Sequence, residues 1–375
     1  MDFNMDSTMT LSELGERRVV AEITGLLPAP ELLLDGIGHD AAFVDLPQGK
    51  DDVLVINTDR SGMNVAYQLG LAGAECIGDF GISHAVSDII VAGGVPRAVT
   101  VALLLPGDST LGFVRDVVKG AAAAAERYGA VIVAGDTKQN PKFAMVVTVV
   151  GTAHRQKRIT RSGAHAGDAL VVTGFLGSMF LGLNAFRHSL LLSEKARLIL
   201  EMAVVEQRPP FALGRAIAEA GIPRAGTDIS DGLPGAIHAL CKASRVGALI
   251  DEARIPLDPD LTEVVTNSAL QPLQLASAGG DWQFLYAVPM ERVAEMERIA
   301  ARVGGRITVI GKFVSGECLA RRDRDGTWRQ LDRIEHDSFA NGAKGRGHFE
   351  EMADPAKELG EIMDQSACKA LWDID

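Results

Sequence analysis

Apolar positions recur at helical spacing over residues 11–27, just after Thr10, whose hydroxyl suits an N-cap, so the chain is expected to open on an amphipathic helix. Two short β-type runs follow, Ala41-Ala42-Phe43-Val44 and Val53-Leu54-Val55-Ile56, and each borders a carboxylate. Helical spacing returns over 77–92 and stops at Gly93-Gly94-Val95-Pro96, where glycine can take the left-handed C-cap and proline blocks continuation. The pattern then predicts a strand over 98–105, a helix over 111–128, and strands over 130–134 and 143–151.

A basic run, Arg155-Gln156-Lys157-Arg158, and the turn pairs Ser162-Gly163 and Gly167-Asp168 mark a boundary near residue 155. Beyond it come a strand over 169–173, helices over 180–190, 194–204 (with Ser193 as cap) and 211–220, a strand and turn over 226–232, and a helix over 233–243. A glycine turn then enters a strand within 277–289, and another helix opens at 288–291. The glycine-rich, basic stretch 341–347 reads as a linker before a terminal helix over about 355–371. The expected organisation is therefore an N-terminal domain over 1–154, a C-terminal α/β domain over 155–335 and a tail over 336–375, without a short internal repeat. Strands and helices mix in both halves, which places the chain in the α/β (α+β) class.

Composition sharpens this picture. Of 375 residues, 47% are hydrophobic, enough for two cores of ordinary size, while only 5% are aromatic and 40 are glycine. Small side chains of this kind let helices lie close on sheets. The net charge of −12 opposes attraction to a polyanionic backbone, so no nucleic-acid partner is expected. An acidic protein that handles anionic nucleotides would need divalent cations, with its own carboxylates as the natural ligands. Cys76, Cys241, Cys318 and Cys368 are far apart and lack zinc-ligand spacing, as expected of reduced thiols. An acidic start, Met1-Asp2-Phe3-Asn4-Met5-Asp6, and the lack of an apolar run near 20 residues lead to the expectation of a cytoplasmic protein without a membrane span.

Candidate chemistry lies in five aspartate-bearing segments next to apolar runs: Gly38-His39-Asp40-Ala41-Ala42, Asn57-Thr58-Asp59, Ser87-Asp88, Gly135-Asp136-Thr137 and Asp228-Ile229-Ser230-Asp231-Gly232. Each alone suits a helix cap or a turn. Together they suit Mg²⁺-assisted ATP chemistry, which needs hard oxygen ligands converging from separate loops around phosphates. In Asp228-Ile229-Ser230-Asp231 a strand would put Asp228 and Ser230 on one face, and the turn at Gly232 would let Asp231 reach the same cleft.

These segments, with Gly36-Ile37-Gly38, Ala85-Val86-Ser87-Asp88-Ile89, Thr160-Arg161-Ser162-Gly163-Ala164, Gly167-Asp168, Leu233 and Gly279-Gly280-Asp281, occur in an order that resembles thiamine-monophosphate kinase over about residues 12 to 315. The resemblance implies the two-domain aminoimidazole-ribonucleotide-synthetase-like fold, with N-terminal halves paired in a homodimer and ATP and Mg²⁺ in a cleft. By position it implies metal ligation by Asp40, Thr58, Asp59, Asp88, Asp136, Asp228 and Asp231. Asp59, Asp88 and Asp136 would be the catalytic set, and Gly135, Arg161 and Ser230 the nucleotide contacts. Arg161 suits a phosphate clamp by its planar fork, or a surface salt bridge.

The pattern breaks on the acceptor side. His39 stands where the family has a second aspartate, and Ala85, beside His84, replaces an asparagine. A histidine expected to contact thiamine phosphate aligns near Ala66, and Gly-Gly-Glu-Asp-Tyr-Glu becomes Gly279-Gly280-Asp281-Trp282-Gln283-Phe284, which leaves Asp281 as the candidate substrate contact. Trp282 suits either core packing or stacking on a planar substrate. Arg60 either meets an anionic substrate or lies on the surface. Three readings remain: a kinase for a small anionic acceptor other than thiamine monophosphate, a superfamily ligase or cyclase that phosphorylates an amide or carboxylate oxygen, and a non-catalytic nucleotide-binding homologue. Selenophosphate synthetase is disfavoured because residues 1–40 hold no cysteine, and the hydrogenase maturation member because the chain ends Leu371-Trp372-Asp373-Ile374-Asp375 without one.

Overall fold

The computed structural model describes residues 33–35, 39–45, 51–332 and 360–372. The helix expected over 11–27 and the glycine-rich stretch 341–347 lie outside the described residues. In the first half, β1 (Leu33–Leu34), β2 (Ala42–Asp45) and β3 (Asp52–Ser61) precede helices α1 (Val65–Gln68) and α2 (Glu75–Val91). Then come β4 (Val95–Leu105), α3 (Leu111–Arg127), β5 (Val131–Gln139) and β6 (Ala144–His154). They form one sheet in the order β1-β2-β3-β6-β4-β5, in which only β4 and β5 are parallel, joined by the α3 crossover.

Alternation along β3 decides which face is covered: Val53 and Val55 are buried under α2, while Thr58 and Arg60 on the other face stay exposed. Helices α2 and α3 cross at backbone contact. A Cβ on Gly78 would lie 1.9 Å from the Val117 carbonyl oxygen, and one on Gly120 would lie 1.9 Å from that of Glu75, so both crossing points require glycine.

The second half runs β7 (Ala169–Thr173), α4 (Ser178–Arg187), α5 (Glu194–Val205), α6 (Phe211–Ala220), β8 (Ala225–Asp228), α7 (Leu233–Ser244) and β9 (Gly247–Asp251). It continues through α8 (Thr262–Ser268), α9 (Pro272–Ala276), β10 (Phe284–Val288), α10 (Val293–Arg302), β11 (Ile307–Val314), β12 (Leu319–Arg322), β13 (Trp328–Gln330) and α11 (Gln365–Leu371). The second sheet has the order β13-β12-β9-β11-β7-β10-β8. Strands β7 and β10 are buried on both faces, which is why they read as unbroken apolar runs. Leu213, Ile217, Phe284 and Tyr286 join the same apolar core as Ile89 and Ile90 of α2, so that helix is clasped between the two sheets.

Three expectations change. Gly135-Asp136-Thr137, read as a turn, continues β5 to Gln139, because β4 runs alongside and supplies a register partner for each of the three. The terminal helix begins only at Gln365, capped by Asp364; Ile362 instead bridges Arg329, and 355–359 lie outside the described residues. Strands β9 and β11 to β13 were not anticipated, since their short apolar runs carry no period that separates strand from buried helix.

Candidate active site

The first and second halves meet at a carboxylate cluster. Asp40 enters β2, Asp88 sits on the last turn of α2 and Asp228 ends β8; one oxygen from each lies within 4.8 Å of the others. The surroundings hold this arrangement without filling it. Ser87 Oγ and Ser230 Oγ donate to the two oxygens of Asp228 at 3.0 and 2.9 Å. Arg161 forks onto Asp40 through Nε at 3.0 Å and Nη2 at 2.9 Å, and Thr227 Oγ1 adds a bond at 2.7 Å. Arg161 is therefore an ion-pair partner of a candidate metal ligand, and proximity to Asp40 raises its affinity for the proton further.

Negative charge is under-compensated here. Burial pushes the Asp228 carboxyl up to about 7, with Asp40 adding to the rise against the Ser230 and Ser87 bonds. Asp88 is driven well above the usual carboxylate range by burial and then by Asp228, Asp59 and Asp40. Such a set of hard oxygens with surplus charge fits a divalent cation of the Mg²⁺ type.

Asp59 joins this group through a residue that motif reading quoted without assigning it a role. Asn57 lies two residues earlier on the same face of β3, and its Nδ2 donates at 2.6 Å both to Asp59 Oδ2 and to Asp88 Oδ2. The i, i+2 spacing of Asn57 and Asp59 was the available signal. Ser87 was likewise only a motif letter, and its bond to Asp228 depends on packing of α2 against β8.

Thr58, Asp136 and Gly135 stand apart from the cluster. Thr58 points to the open face, where its Oγ1 meets Thr148 Oγ1 at 2.9 Å. Register runs Asp59 to Val147, Val147 to Val101 and Val101 to Gly135, so Gly135 is level with Asp59 but three strand spacings away, about 14 Å. Gly135 is required there, since a Cβ would lie 2.4 Å from the Val101 carbonyl oxygen. The next residue, Asp136, is exposed and accepts the Thr137 N–H at 2.8 Å. Asp231 is exposed on the turn that follows Asp228.

The loop between α9 and β10 fixes that turn. A Cβ on Gly232 (φ +90°) would lie 2.3 Å from the Ser277 carbonyl oxygen, and Gly280 N–H donates to the Ser230 carbonyl oxygen at 2.9 Å. The same loop carries Asp281, whose oxygens accept Gly177 N–H at 2.6 Å and Met179 N–H at 3.0 Å at the start of α4. Burial pushes Asp281 up to about 6 against these bonds. His39 is turned to the backbone, within 3.3 Å of Arg161 N and 3.1 Å of the Asp35 carbonyl oxygen.

Comparison with known proteins agrees with this architecture. Residues 38–153 match the AIR synthase related protein, N-terminal domain, and residues 165–323 the corresponding C-terminal domain. A thiamine-monophosphate kinase of Halobacterium salinarum is 31% identical over 297 residues, covering 78% of this chain and 93% of the relative. AaThiL complexed with AMPPCP and TMP superposes with a TM-score of 0.74 at 27% identity, over 88% of this chain and 98% of that one. The E. coli hydrogenase maturation protein HypE shares the fold, with a TM-score of 0.65 at 21% identity over 86% and 98% of the two chains.

Proposed function

We propose that this chain, which belongs to the AIR synthase related proteins and within them to the thiamine-monophosphate kinase family, is a Mg²⁺-dependent ATP phosphotransferase whose acceptor is a small anion other than thiamine monophosphate. Kinship makes it an ATP-dependent kinase or a ligase of the same superfamily. The observation that carries the reading is the convergence of Asp40, Asp88 and Asp228, with Asp59 held beside them by Asn57.

Asp40, Asp88, Asp228 and Asp59 would hold Mg²⁺, which when bound neutralises phosphate charge. Ser87 and Ser230 keep Asp228 oriented, and Asn57 keeps Asp59 and Asp88 aimed at one point. Arg161 neutralises Asp40, and its planar fork suits a phosphate as well, in line with the nucleotide contact implied by its motif. An acceptor that is already an anionic oxygen needs no base to remove a proton, which accords with a cluster built of carboxylates.

Thr58 and Arg60 lie on the open face of the first sheet at β3, and Asp136 lies on its edge strand β5. That edge exposes Val131 and Val133 at 61% and 60%. Unpaired among the described residues, this apolar edge is a natural place for a second copy, and it is the surface through which we propose the homodimer forms.

The test replaces Asp88→Asn and, separately, Asp136→Asn, each nearly preserving shape while removing a charge. Asp88→Asn is expected to lose at least ~100-fold of Mg²⁺-dependent ATP turnover with the fold intact by circular dichroism, and Asp136→Asn to lose it as well if a second copy paired at the β5 edge carries Asp136 to the cluster. Normal turnover in Asp88→Asn sinks the metal assignment. Product analysis separates the chemistries: a phosphorylated acceptor marks a kinase, and inorganic phosphate with a condensed product marks a ligase.

A further inference from the structure

Cys76, Phe80, His84 and Asp88 recur every fourth residue on α2 and so form one stripe, each about one helical turn from the next. The stripe leads away from the carboxylate cluster. Trp282, from the loop between α9 and β10, lies against it: its ring centroid is 4.6 Å from that of His84 and 5.6 Å from that of Phe80, edge-on to both. His84 Nε2 in turn lies 3.9 Å from Asp59 Oδ1.

Hydrogen bonding along this stripe is incomplete. Among the described residues, Trp282 Nε1, His84 Nδ1, Ser61 Oγ and Asn64 Nδ2 are buried atoms without a partner. Asn64 adjoins Cys76, whose Sγ donates to its Oδ1 at 3.5 Å, and Ser61 lies against the helix at Gly81, next to Phe80, so these atoms lie along the stripe from Cys76 to His84. Native proteins rarely leave buried donors unpaired, and a cluster of them next to a reaction centre points to a ligand. Trp282 is only 4% exposed and adopts φ +53°, a left-handed conformation unusual for a bulky side chain. The loop is pinned from behind by Asp281 on the start of α4 and by Gln283, whose Oε1 accepts Thr173 Oγ1–H at 2.9 Å, leaving the indole to face the stripe.

We propose that Trp282 and His84, with Phe80, form the wall that reads the acceptor, and that the acceptor is a planar ring presenting a hydrogen-bond-accepting oxygen or nitrogen to the Trp282 N–H. This rests on the kinase reading above and specifies the substrate class of that site. The ring packs along the stripe while its anionic group reaches the carboxylate end, one to two helical turns away. Both residues are specificity determinants; neither takes part in phosphoryl transfer.

The experiment measures binding to the full chain by calorimetry with Mg²⁺ and AMPPCP present, using three phosphate monoesters as probes: pyridoxine 5′-phosphate, a planar ring with acceptor atoms; phenyl phosphate, a planar ring without them; and glycerol 3-phosphate. Pyridoxine 5′-phosphate is expected to bind about tenfold more tightly than phenyl phosphate. Trp282→Phe is expected to shrink that ratio to about two while leaving phenyl phosphate and Mg·AMPPCP binding unchanged, since the ring area is kept and only the N–H is lost. His84→Phe, which keeps ring packing and removes both nitrogens, is expected to lower the ratio in part and serves if the first variant does not fold. A ratio unchanged in the folded variants overturns the proposal, as does the lack of binding by either planar probe to a native chain that binds Mg·AMPPCP. Failure of the native chain to bind Mg·AMPPCP at all overturns the kinase reading instead.

Discussion

Asp228 shows how one residue's environment sets a measurable dependence on pH. Its carboxyl is raised to about 7 by burial and by Asp40, whereas in the unfolded chain it titrates near 4. Between these values the unfolded state releases a proton that the folded state keeps, so without metal this group makes the fold less stable as pH climbs from about 4 to about 7. Asp228→Asn removes that dependence. Chemical denaturation is expected to show the variant gaining on the native chain across this interval, by on the order of 4 kcal/mol at pH 8. Saturating Mg²⁺ is expected to cancel the gain by stabilising only the native chain. An equal difference at pH 4 and pH 8 would contradict the account. Asn57 offers a second check, because it orients Asp59 and Asp88 without being charged. Asn57→Ala is expected to raise the Mg²⁺ concentration for half-maximal ATP turnover by about 10- to 100-fold, the usual cost of losing a ligand's orienting partner.

At the scale of elements, strand β5 is the informative one. Its outer residues are apolar and exposed, and Val133 sits at a bulge, the extra residue between Ile132 and Ala134 opposite Val99 and Thr100. Val133→Asp puts a charge on this edge without touching the carboxylate cluster. Sedimentation is expected to find a dimer for the native chain at micromolar concentration and a monomer for the variant, with the circular dichroism spectrum unchanged. A native monomer would count against pairing through this edge. Helix α2 plays the opposite part: it is clasped by both sheets, and the stripe that carries Asp88 into the cluster also carries His84 and Phe80 to Trp282, with Ser87 on the neighbouring face bonded to Asp228.

For the whole molecule the decisive measurement is the acceptor. Ala66 is fully buried in the apolar cluster with Phe180 and Leu275 and offers no side-chain hydrogen bond, and Trp282 presents one N–H where the family pattern has a carboxylate. Losing partners at two positions costs ~1–3 kcal/mol at each, roughly 10² to 10⁴ in discrimination. Thiamine monophosphate is therefore expected to be a poor substrate even though Mg·ATP binds, checked by a coupled assay for thiamine diphosphate beside calorimetry of ATP. Rapid formation of thiamine diphosphate would overturn the changed acceptor.

Much of this was legible in the chain itself. Helices α2, α3, α5, α6 and α7 and strands β2, β4, β6 and β7 follow from local periodicity, because an amphipathic helix or a strand is specified by neighbours a few residues apart. The Ser193 cap is equally local, with its Oγ accepting Ala196 N–H. Motif order likewise singled out Asp40, Asp59, Asp88 and Asp228 before any geometry was known. What local pattern cannot hold is the distance between residues far apart in the chain. The meeting of Asp40, Asp88 and Asp228, the Asn57 bridge and the capture of Asp40 by Arg161 each join separate elements. The same limit hid the span from Asp59 to Gly135, since it is set by how many strands lie between them in the sheet. A side chain's chemistry belongs to its residue type, but its partners are chosen by packing, which is why candidate carboxylates could be named from sequence and the convergence of Asp40, Asp88 and Asp228 only from the fold.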